Sequence, residues 1–397
     1  MTTPSHARRL AVLITHPIQY FRPVFAELAQ DPRVELLVLF GCDHGLRPSR
    51  DPDFGVEISW DSAPADGFPH HILSRRPLAD LGRWWPALLL AGRSWWHLRR
   101  FRPDAVLVFA YTPVFITIST LLLRLSGQRL LLRADGTDRA FSRSPLRSCV
   151  KDAVLRLWYR QFDRVFPIGR DSDDHFRRLG VPARRRTPVC YAVDVDYFAV
   201  QVDRWRPERE LLRQAEAIPG DGLVLLWSAK MTAVKNPQLL LDALALLTPE
   251  LRSRFWLVAV GDGPLRASFE LAAEALLPAR CRFLGFRNQS ELGACYALAD
   301  VLVFPSRQGE TWGLVVNEAL QFGLAVIASD HAGCVRDLLQ SPVMVPQGSA
   351  VFPSDQPEAF AAALVAFAAA YPQGFQSVGS PVLPHPRQLA EAVAKAL

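Results

Sequence analysis

Cysteine is sparse and scattered in this 397-residue chain: Cys42, Cys149, Cys190, Cys281, Cys295 and Cys334, the nearest two fourteen positions apart. That spacing offers neither a zinc-type Cys-x-x-Cys pair nor a dense disulfide framework, so free thiols in a reducing cytosol are expected. Lysine is scarcer still, with four against forty-one arginines. A secretory leader is not expected, because the apolar run behind Arg8 and Arg9 is only Leu10–Ile14. A membrane span is not expected either. The uncharged stretch Ala105 to Leu123, nearly long enough for a span, reads as a buried strand Ala105–Phe109, a turn at Tyr111-Thr112-Pro113 and a helix opened by the proline.

What is present is ample apolar material. Half the residues are hydrophobic and 21% are charged, which excludes disorder and collagen-like repeats and suggests two or three domains. The net charge of +6 conceals an asymmetry. Residues 1–190 hold 29 Lys and Arg against 18 Asp and Glu, and residues 191–397 hold 16 against 21. A basic first half fits an anionic membrane or an anionic acceptor; nucleic acid is not expected, since no recognition motif for it is present.

Short apolar runs alternate with helical patterns throughout. The first half offers strands at Leu10–Thr15, Val34–Phe40, Ala105–Phe109, Arg129–Arg133 and Arg164–Ile168. The second offers Leu223–Ser228, Phe255–Val260, Cys281–Leu284, Val301–Phe304, Ala325–Ala328 and Val343–Val345. Continuous apolar strands separated by helices imply parallel sheets covered on both faces. The polar stretch Asp194–Asp221 divides the two series. The expectation is an α/β protein of two doubly wound domains, 1–200 and 201–380, facing a central cleft around a hinge near residue 200. Residues 381–397 would form a terminal helix returning to the first domain. Ligands in such folds bind at the carboxyl ends of the strands.

The most informative stretch runs from Val303 to Gly323, through a loop holding Glu310 and Gly313 into a helix holding Glu318. Eight positions apart, the two glutamates would sit about 80° out of line on one helix, so Glu310 reads as a loop residue and Glu318 as a helical one. A glycine at the helix start lets a phosphate approach bare backbone N–H groups and the positive dipole end. By themselves, Glu310 could instead cap the helix and Glu318 lie on a solvated face. Upstream, Lys230 and Lys235 stand at a strand end and a helix start, so two of the four lysines fall in one short loop. Cations there suit a diphosphate. Val260-Gly261-Asp262-Gly263-Pro264 then marks a strand, a tight turn and another helix start.

As an ordered set, Lys230…Lys235, Val260–Pro264, Tyr296–Asp300 and Glu310…Glu318 resemble glycosyltransferase family 4, the retaining nucleotide-sugar enzymes of the GT-B fold; Ser329–Gly333 fits the family's last donor loop. The resemblance covers about residues 220–345. It implies that Lys230 and Lys235 hold the donor diphosphate and Glu318 the ribose. Glu310 and the Gly313–Leu314 backbone would hold the transferred sugar and phosphate, with Gly261, Gly263 and Val315 among the donor-binding positions. A narrower subgroup is suggested by Thr15-His16-Pro17-Ile18-Gln19-Tyr20-Phe21, by Phe54–Asp61 and by Tyr191–Phe198.

Departures from the family pattern bear on mechanism. His16-Pro17-Ile18-Gln19 replaces a Gly-Gly loop, and Arg133-Ala134-Asp135-Gly136 stands where many members carry a histidine. Asp135 and His16 are therefore candidate catalytic groups. Lys230 replaces an arginine, keeping the charge without the bidentate fork. The resemblance implies front-face attack in which the departing diphosphate takes the acceptor's proton, with no cofactor and no metal. The pairs Asp51/Asp53, Asp171/Asp173 and Asp194/Asp196 lie away from the cleft motifs, and Asp171 and Asp194 sit where helix caps are expected. The donor would be a nucleotide-diphosphate sugar. The acceptor would be a glycan, a lipid-linked molecule or a small molecule, in cell-surface polysaccharide or glycoconjugate synthesis. Trp84, Trp85, Trp95 and Trp96 within the arginine-rich segment 83–102 admit peripheral membrane contact or a core helix with solvated arginines. An epimerase of similar fold and a non-catalytic sugar-nucleotide sensor are the alternatives.

Overall fold

A computed structural model describes residues 7–47, 49–50, 57–58, 65–139, 144–340, 345–372, 374–375 and 381–397. The motif at Phe54–Asp61 and the pair Asp51/Asp53 lie outside the residues whose side chains are described. In chain order the strands are β1 (Arg8–Ile14), β2 (Val34–Phe40), β3 (Ser49–Arg50), β4 (Glu57–Ile58), β5 (His70–Ile72), β6 (Ala105–Phe109), β7 (Leu130–Ala134) and β8 (Arg164–Pro167). The second half adds β9 (Leu223–Ser228), β10 (Phe255–Val260), β11 (Cys281–Gly285), β12 (Val301–Phe304), β13 (Ala325–Ser329) and β14 (Ala350–Phe352).

Two six-stranded sheets result, ordered β5-β2-β1-β6-β7-β8 and β11-β10-β9-β12-β13-β14. Every pairing within them is parallel, and both run third-second-first-fourth-fifth-sixth in their own strand sequence. In each, the order reverses between the first and fourth strands, β1/β6 and β9/β12. That switch point leaves a crevice at the carboxyl ends. The central strands are mainly apolar and buried, as burial on both faces requires, with Arg8 and Arg9 at the exposed start of β1 and the buried Arg133 on β7 among the exceptions.

The edge strands are another matter. β5 reads His-His-Ile and carries no apolar run, which is why sequence patterning passes over it. Residues 341–344, part of the strand expected at Val343–Val345, lie outside the described residues, and the strand that pairs with β13 is Ala350–Phe352. The uncharged stretch 105–123 divides as strand β6 and the helix Val114–Leu125, and no described helix is long and apolar enough to cross a membrane.

Helices Trp84–Phe101, Val114–Leu125 and Pro145–Tyr159 pack one face of the first sheet through Leu90, Leu98, Phe115, Leu123 and Leu155. Helix Arg22–Gln30 and the terminal helix Pro386–Lys395 cover the other through Phe25, Leu28, Leu389 and Val393. Arg387 of the terminal helix also donates to Glu27 at 3.2 Å. Asp194 caps helix Val195–Trp205, accepting from the Tyr197 N–H at 3.1 Å, and this helix packs against Gln289–Leu298 and Leu314–Gln321 of the second body. The chain crosses between bodies in the extended stretch 186–194, and residue 200 lies inside the helix that follows.

Asp171 does not cap. It sits in the first turn of helix Gly169–Arg178 and takes Arg336 at 2.6 Å and Arg139 at 3.4 Å. Arg336 belongs to the second body, so this carboxylate ties the two together. Asp173 pairs with Arg186 at 3.1 Å. All six cysteines are free thiols.

Candidate active site

The cleft is built from loops at the carboxyl ends of both sheets. After β9 the chain carries Lys230 and Lys235 to Asn236, which adopts φ 53° just before helix Pro237–Ala245. After β10 come Gly261 and Gly263, at φ +121° and +153°. A Cβ at 261 would stand 2.0 Å from the Ala229 carbonyl oxygen, and one at 263 would stand 2.7 Å from that of Met231. Glycine is required at both because the two loops clasp each other backbone to backbone. Asp262 holds the turn, accepting from the Gly263 N–H at 2.8 Å and from Arg266 at 2.6 Å.

The loop after β12 carries Glu310 to Gly313, whose φ of 99° starts helix Leu314–Gln321. The first N–H groups of that helix, Leu314 and Val315 among them, have no acceptor within the helix and present its positive end to the cleft. Glu310 does not cap it. Its Oε2 takes an ion pair from the Lys235 ammonium and a hydrogen bond from the Ser306 hydroxyl at 3.2 Å. Lys235 also lies 5.1 Å from the centre of the Phe304 ring. The loop lysine and the loop glutamate thus form one unit beside the helix start.

Glu318 is not on a solvated face. It is 3% exposed and accepts from two tyrosines, Tyr296 at 2.6 Å and Tyr20 at 3.3 Å. Burial pushes its carboxyl up to about 7, against the lowering effect of both hydrogen bonds. Tyr20 belongs to the first body, just after β1, so its hydroxyl crosses the cleft. A cavity of about 150 Å³ opens beside the pair, lined by Gln19, Tyr20, Ser228, Lys230, Gly261, Phe286, Arg287, Val315 and Glu318 among others. Four of the sequence-derived positions, Lys230, Gly261, Val315 and Glu318, therefore meet in one space.

The other candidates lie elsewhere. Asp135, directly after β7, lines a separate cavity of about 140 Å³ with Asp138, Lys151, Asp152 and His175. Thr311, next to Glu310 in sequence, reaches that cavity from the second body. His16 lines neither space. Its Nδ1 lies 2.9 Å from the Thr15 hydroxyl, and its ring meets that of His44 edge-on at 5.1 Å. Burial, with His44 nearby, lowers it to about 4, so it is neutral near pH 7.

Arg133 is wholly structural. It is buried on β7, donates to the carbonyls of Val189 at 2.6 Å and Cys190 at 3.2 Å, and lies over the Tyr191 ring. Asp300, at the end of the Tyr296–Asp300 match, is fully buried against Arg213 and Arg209 and accepts from the Val224 N–H at 2.6 Å. It holds the second body together. Among the described residues, no group of three or more His, Cys, Asp and Glu is placed to hold a metal ion.

Tyr20 and Ser228 were not among the expected site residues. Both lie in stretches the sequence drew attention to, but nothing local to either says that it lines the same cavity as Glu318.

Residues 208–369 match the family model described as Glycosyl transferases group 1. Over that span the second half of the chain is similar to group 1 glycosyltransferases. D-inositol 3-phosphate glycosyltransferase of Mycobacterium leprae is 31% identical over 204 residues, 49% of this chain and 44% of that protein. Its counterpart in Streptomyces scabiei is 35% identical over 167 residues, 37% of each chain. The matches thus span less than half the length of these curated relatives.

The two bodies together share the GT-B fold of solved structures. Anabaena HepE in complex with UDP and glucose superposes with a TM-score of 0.63 at 17% identity, covering 98% of this chain and 95% of that one. A glycosyltransferase from Rickettsia africae gives 0.66 at 13% identity, covering 98% and 94%.

Proposed function

We propose that the chain is a retaining glycosyltransferase that moves a hexose-type sugar from a nucleotide-diphosphate sugar to an acceptor hydroxyl without a metal ion. The observation that carries this reading is the grouping of Lys230 and Glu318 in one cavity, with the Lys235–Glu310 unit and the helix start at Gly313 within the adjoining loop. The group 1 match over the same residues supports it.

In this mechanism the donor diphosphate lies against Lys230, Lys235 and the backbone N–H groups of Leu314 and Val315. Glu318 accepts from the ribose hydroxyls, and Glu310 shares its carboxylate between Lys235 and a hydroxyl of the transferred sugar. The acceptor oxygen bonds to the anomeric carbon on the face the diphosphate leaves. The bond from that carbon to the diphosphate oxygen breaks, and the acceptor's proton passes to the departing diphosphate. The cations and helix dipole stabilise the charge that develops, the electrostatic effect expected to contribute most. Asp135 and Thr311 face the acceptor side, while neutral His16 is placed as a support for the β1 loop.

The acceptor in this reading is a glycan or lipid-linked molecule of polysaccharide or glycoconjugate synthesis, met at the cytoplasmic face of an anionic membrane. One surface favours it. Trp84 and Trp85 are 74% and 77% exposed, and Leu88, Leu89 and Trp96 are exposed with them. Helix Pro145–Tyr159 adds an outward stripe of Leu146, Val150, Val154 and Leu157. Both helices cover the same face of the first sheet, flanked by Arg83, Arg93, Arg99, Arg100, Arg147, Arg156 and Arg160. Apolar and cationic residues on one face suit an anionic bilayer.

The test is the melting temperature of the purified protein with UDP, ADP, GDP and their glucose conjugates, with and without magnesium. A selective rise, lost in Lys235→Ala, is the expected result. No rise with any nucleotide under either condition would refute the donor site. Product analysis without acceptor separates transfer from epimerisation.

A further inference from the structure

We propose that Tyr20 is a positioning residue for the donor: from the first body it holds Glu318 as an ionised acceptor aimed at the ribose diol, so that donor binding and closure of the cleft depend on each other. The proposal rests on the reading that Glu318 takes the ribose.

The argument starts from acceptor capacity. A carboxylate has about four lone-pair sites. Tyr296 and Tyr20 fill one on each oxygen, Oε2 and Oε1 respectively, which leaves one on each. Two vacant sites on two oxygens match the 2′- and 3′-hydroxyls of a ribose. The tyrosines therefore orient the carboxylate while leaving it capacity for the ligand.

Each tyrosine is itself supported. The Gln19 side chain hydrogen-bonds to the Tyr20 hydroxyl, and that of Ser228 to the Tyr296 hydroxyl. Two relays thus converge on Glu318, Gln19–Tyr20 from the first body and Ser228–Tyr296 from the second. Such chains polarise and strengthen their members in a low-dielectric site. Gln19, Tyr20 and Ser228 line the same cavity as Glu318, which accounts for part of the His16–Phe21 motif that the family resemblance left without a role.

The relays differ in one respect. Tyr296 travels with Glu318 because both lie in the second body, whereas Tyr20 lies on the other wall of the cleft. Separating the bodies breaks only the Tyr20 bond. Glu318 is buried, and each hydroxyl bond favours its charged form. Losing one raises its proton affinity, and a protonated carboxyl binds a diol less well. The groups around it are Tyr20 and Tyr296, with Lys230 and Arg287 lining the same cavity. An open cleft thus binds donor poorly, and by linkage bound donor favours the closed one.

The experiment follows the pH dependence of nucleoside diphosphate affinity, using whichever of UDP, ADP or GDP binds the wild type. In the wild type, affinity falls as pH drops through about 7, where Glu318 takes up a proton. In Tyr20→Phe that acidic limb moves to higher pH. At pH 7 binding weakens by ~5-fold for the first unit the limb moves and by ~10-fold for each further unit, while at pH 9 the two proteins differ by less than about 3-fold. A uniform loss at every pH would mean that Tyr20 only packs the wall, and an unmoved limb would mean that it does not act through Glu318. Either result overturns the proposal.

Should Tyr20→Phe fold poorly, calorimetry on the wild type in buffers of different ionisation enthalpy gives an independent reading. Release of a fraction of a proton on binding at pH 7 is expected, and none contradicts it. Glu318→Gln separates the two layers. If it binds the diphosphate and its 2′-deoxy form as the wild type does, the ribose assignment itself fails. If it loses the distinction while Tyr20→Phe behaves as wild type, only the role of Tyr20 fails.

Discussion

Replacing Asp300 by alanine is expected to destabilise the second body by about 4 kcal/mol. Asp300 is fully buried between two arginines. Arg213, itself 2% exposed, places Nη2 2.8 Å from both carboxylate oxygens, and Arg209 adds a second ion pair. The Val224 N–H donates to the same carboxylate and so fixes the start of β9. Alanine leaves a buried guanidinium without its counter-charge, which costs roughly 3–5 kcal/mol when one partner of such a pair is removed. The arginines keep carbonyl partners at Leu298, Gly222, Ala297 and Ala299, so the middle of that range is the better figure.

Urea titration followed by tryptophan emission, together with scanning calorimetry, measures the effect. At roughly 2–4 °C per kcal/mol for a body of this size, the melting transition should fall by about 12 °C. Removing both partners behaves differently. In Asp300→Leu with Arg213→Met, one buried charge pair leaves together, and at least half of the lost stability should return. An Asp300→Ala protein within 1 kcal/mol of wild type would refute this account of the buried pair. So would a double variant as unstable as the sum of the singles.

Three further outcomes are expected. Glu318 is raised from 4.5 to about 7 on folding, so it takes up a proton as the chain folds and its contribution falls as pH rises through that window. His16 is lowered from 6.5 to about 4, so its contribution rises with pH over 4 to 6.5. The two oppose each other in the wild type. Urea titrations should therefore show Glu318→Gln gaining stability relative to wild type as pH rises toward 7, and His16→Gln gaining as pH falls toward 4. Parallel curves for all three proteins would count against both assignments. Gly261→Ala should lose nucleotide binding in calorimetry along with at least 3 kcal/mol of stability, since its Cβ would stand 2.0 Å from a backbone oxygen, whereas Gly92→Ala, with open space around it, should not. Trp84→Ser with Trp85→Ser should weaken sedimentation with phosphatidylglycerol vesicles at least tenfold while leaving nucleotide binding unchanged; equal retention by both proteins would exclude this helix as the contact.

Much of the architecture was legible in the sequence because it is local. β2, β6, β9, β10 and β12 begin and end where their apolar runs do, since a strand covered on both faces needs little else. The glycines at 261, 263 and 313 announced close backbone approaches, and two lysines in a lysine-poor chain drew attention to the loop after β9. The short edge strands β5 and β14 were hidden, because pairing along one side demands no apolar run.

Partnerships between distant residues had to wait for the tertiary structure. Sequence left Glu310 free to cap a helix, and the fold pairs it with Lys235, seventy-five positions away. It offered Asp171 as a cap, and the fold pairs it across the cleft with Arg336. It matched Asp300 to a motif, and the fold shows a buried counter-ion for two arginines. The meeting of Tyr20 with Glu318 spans 298 positions, and no pattern within either segment encodes it. Apolar periodicity and glycine placement by themselves determined the two sheets and the loops that face the cleft. Burial and cross-cleft contact, which exist only once both bodies have folded, decided what each charged side chain in those loops does.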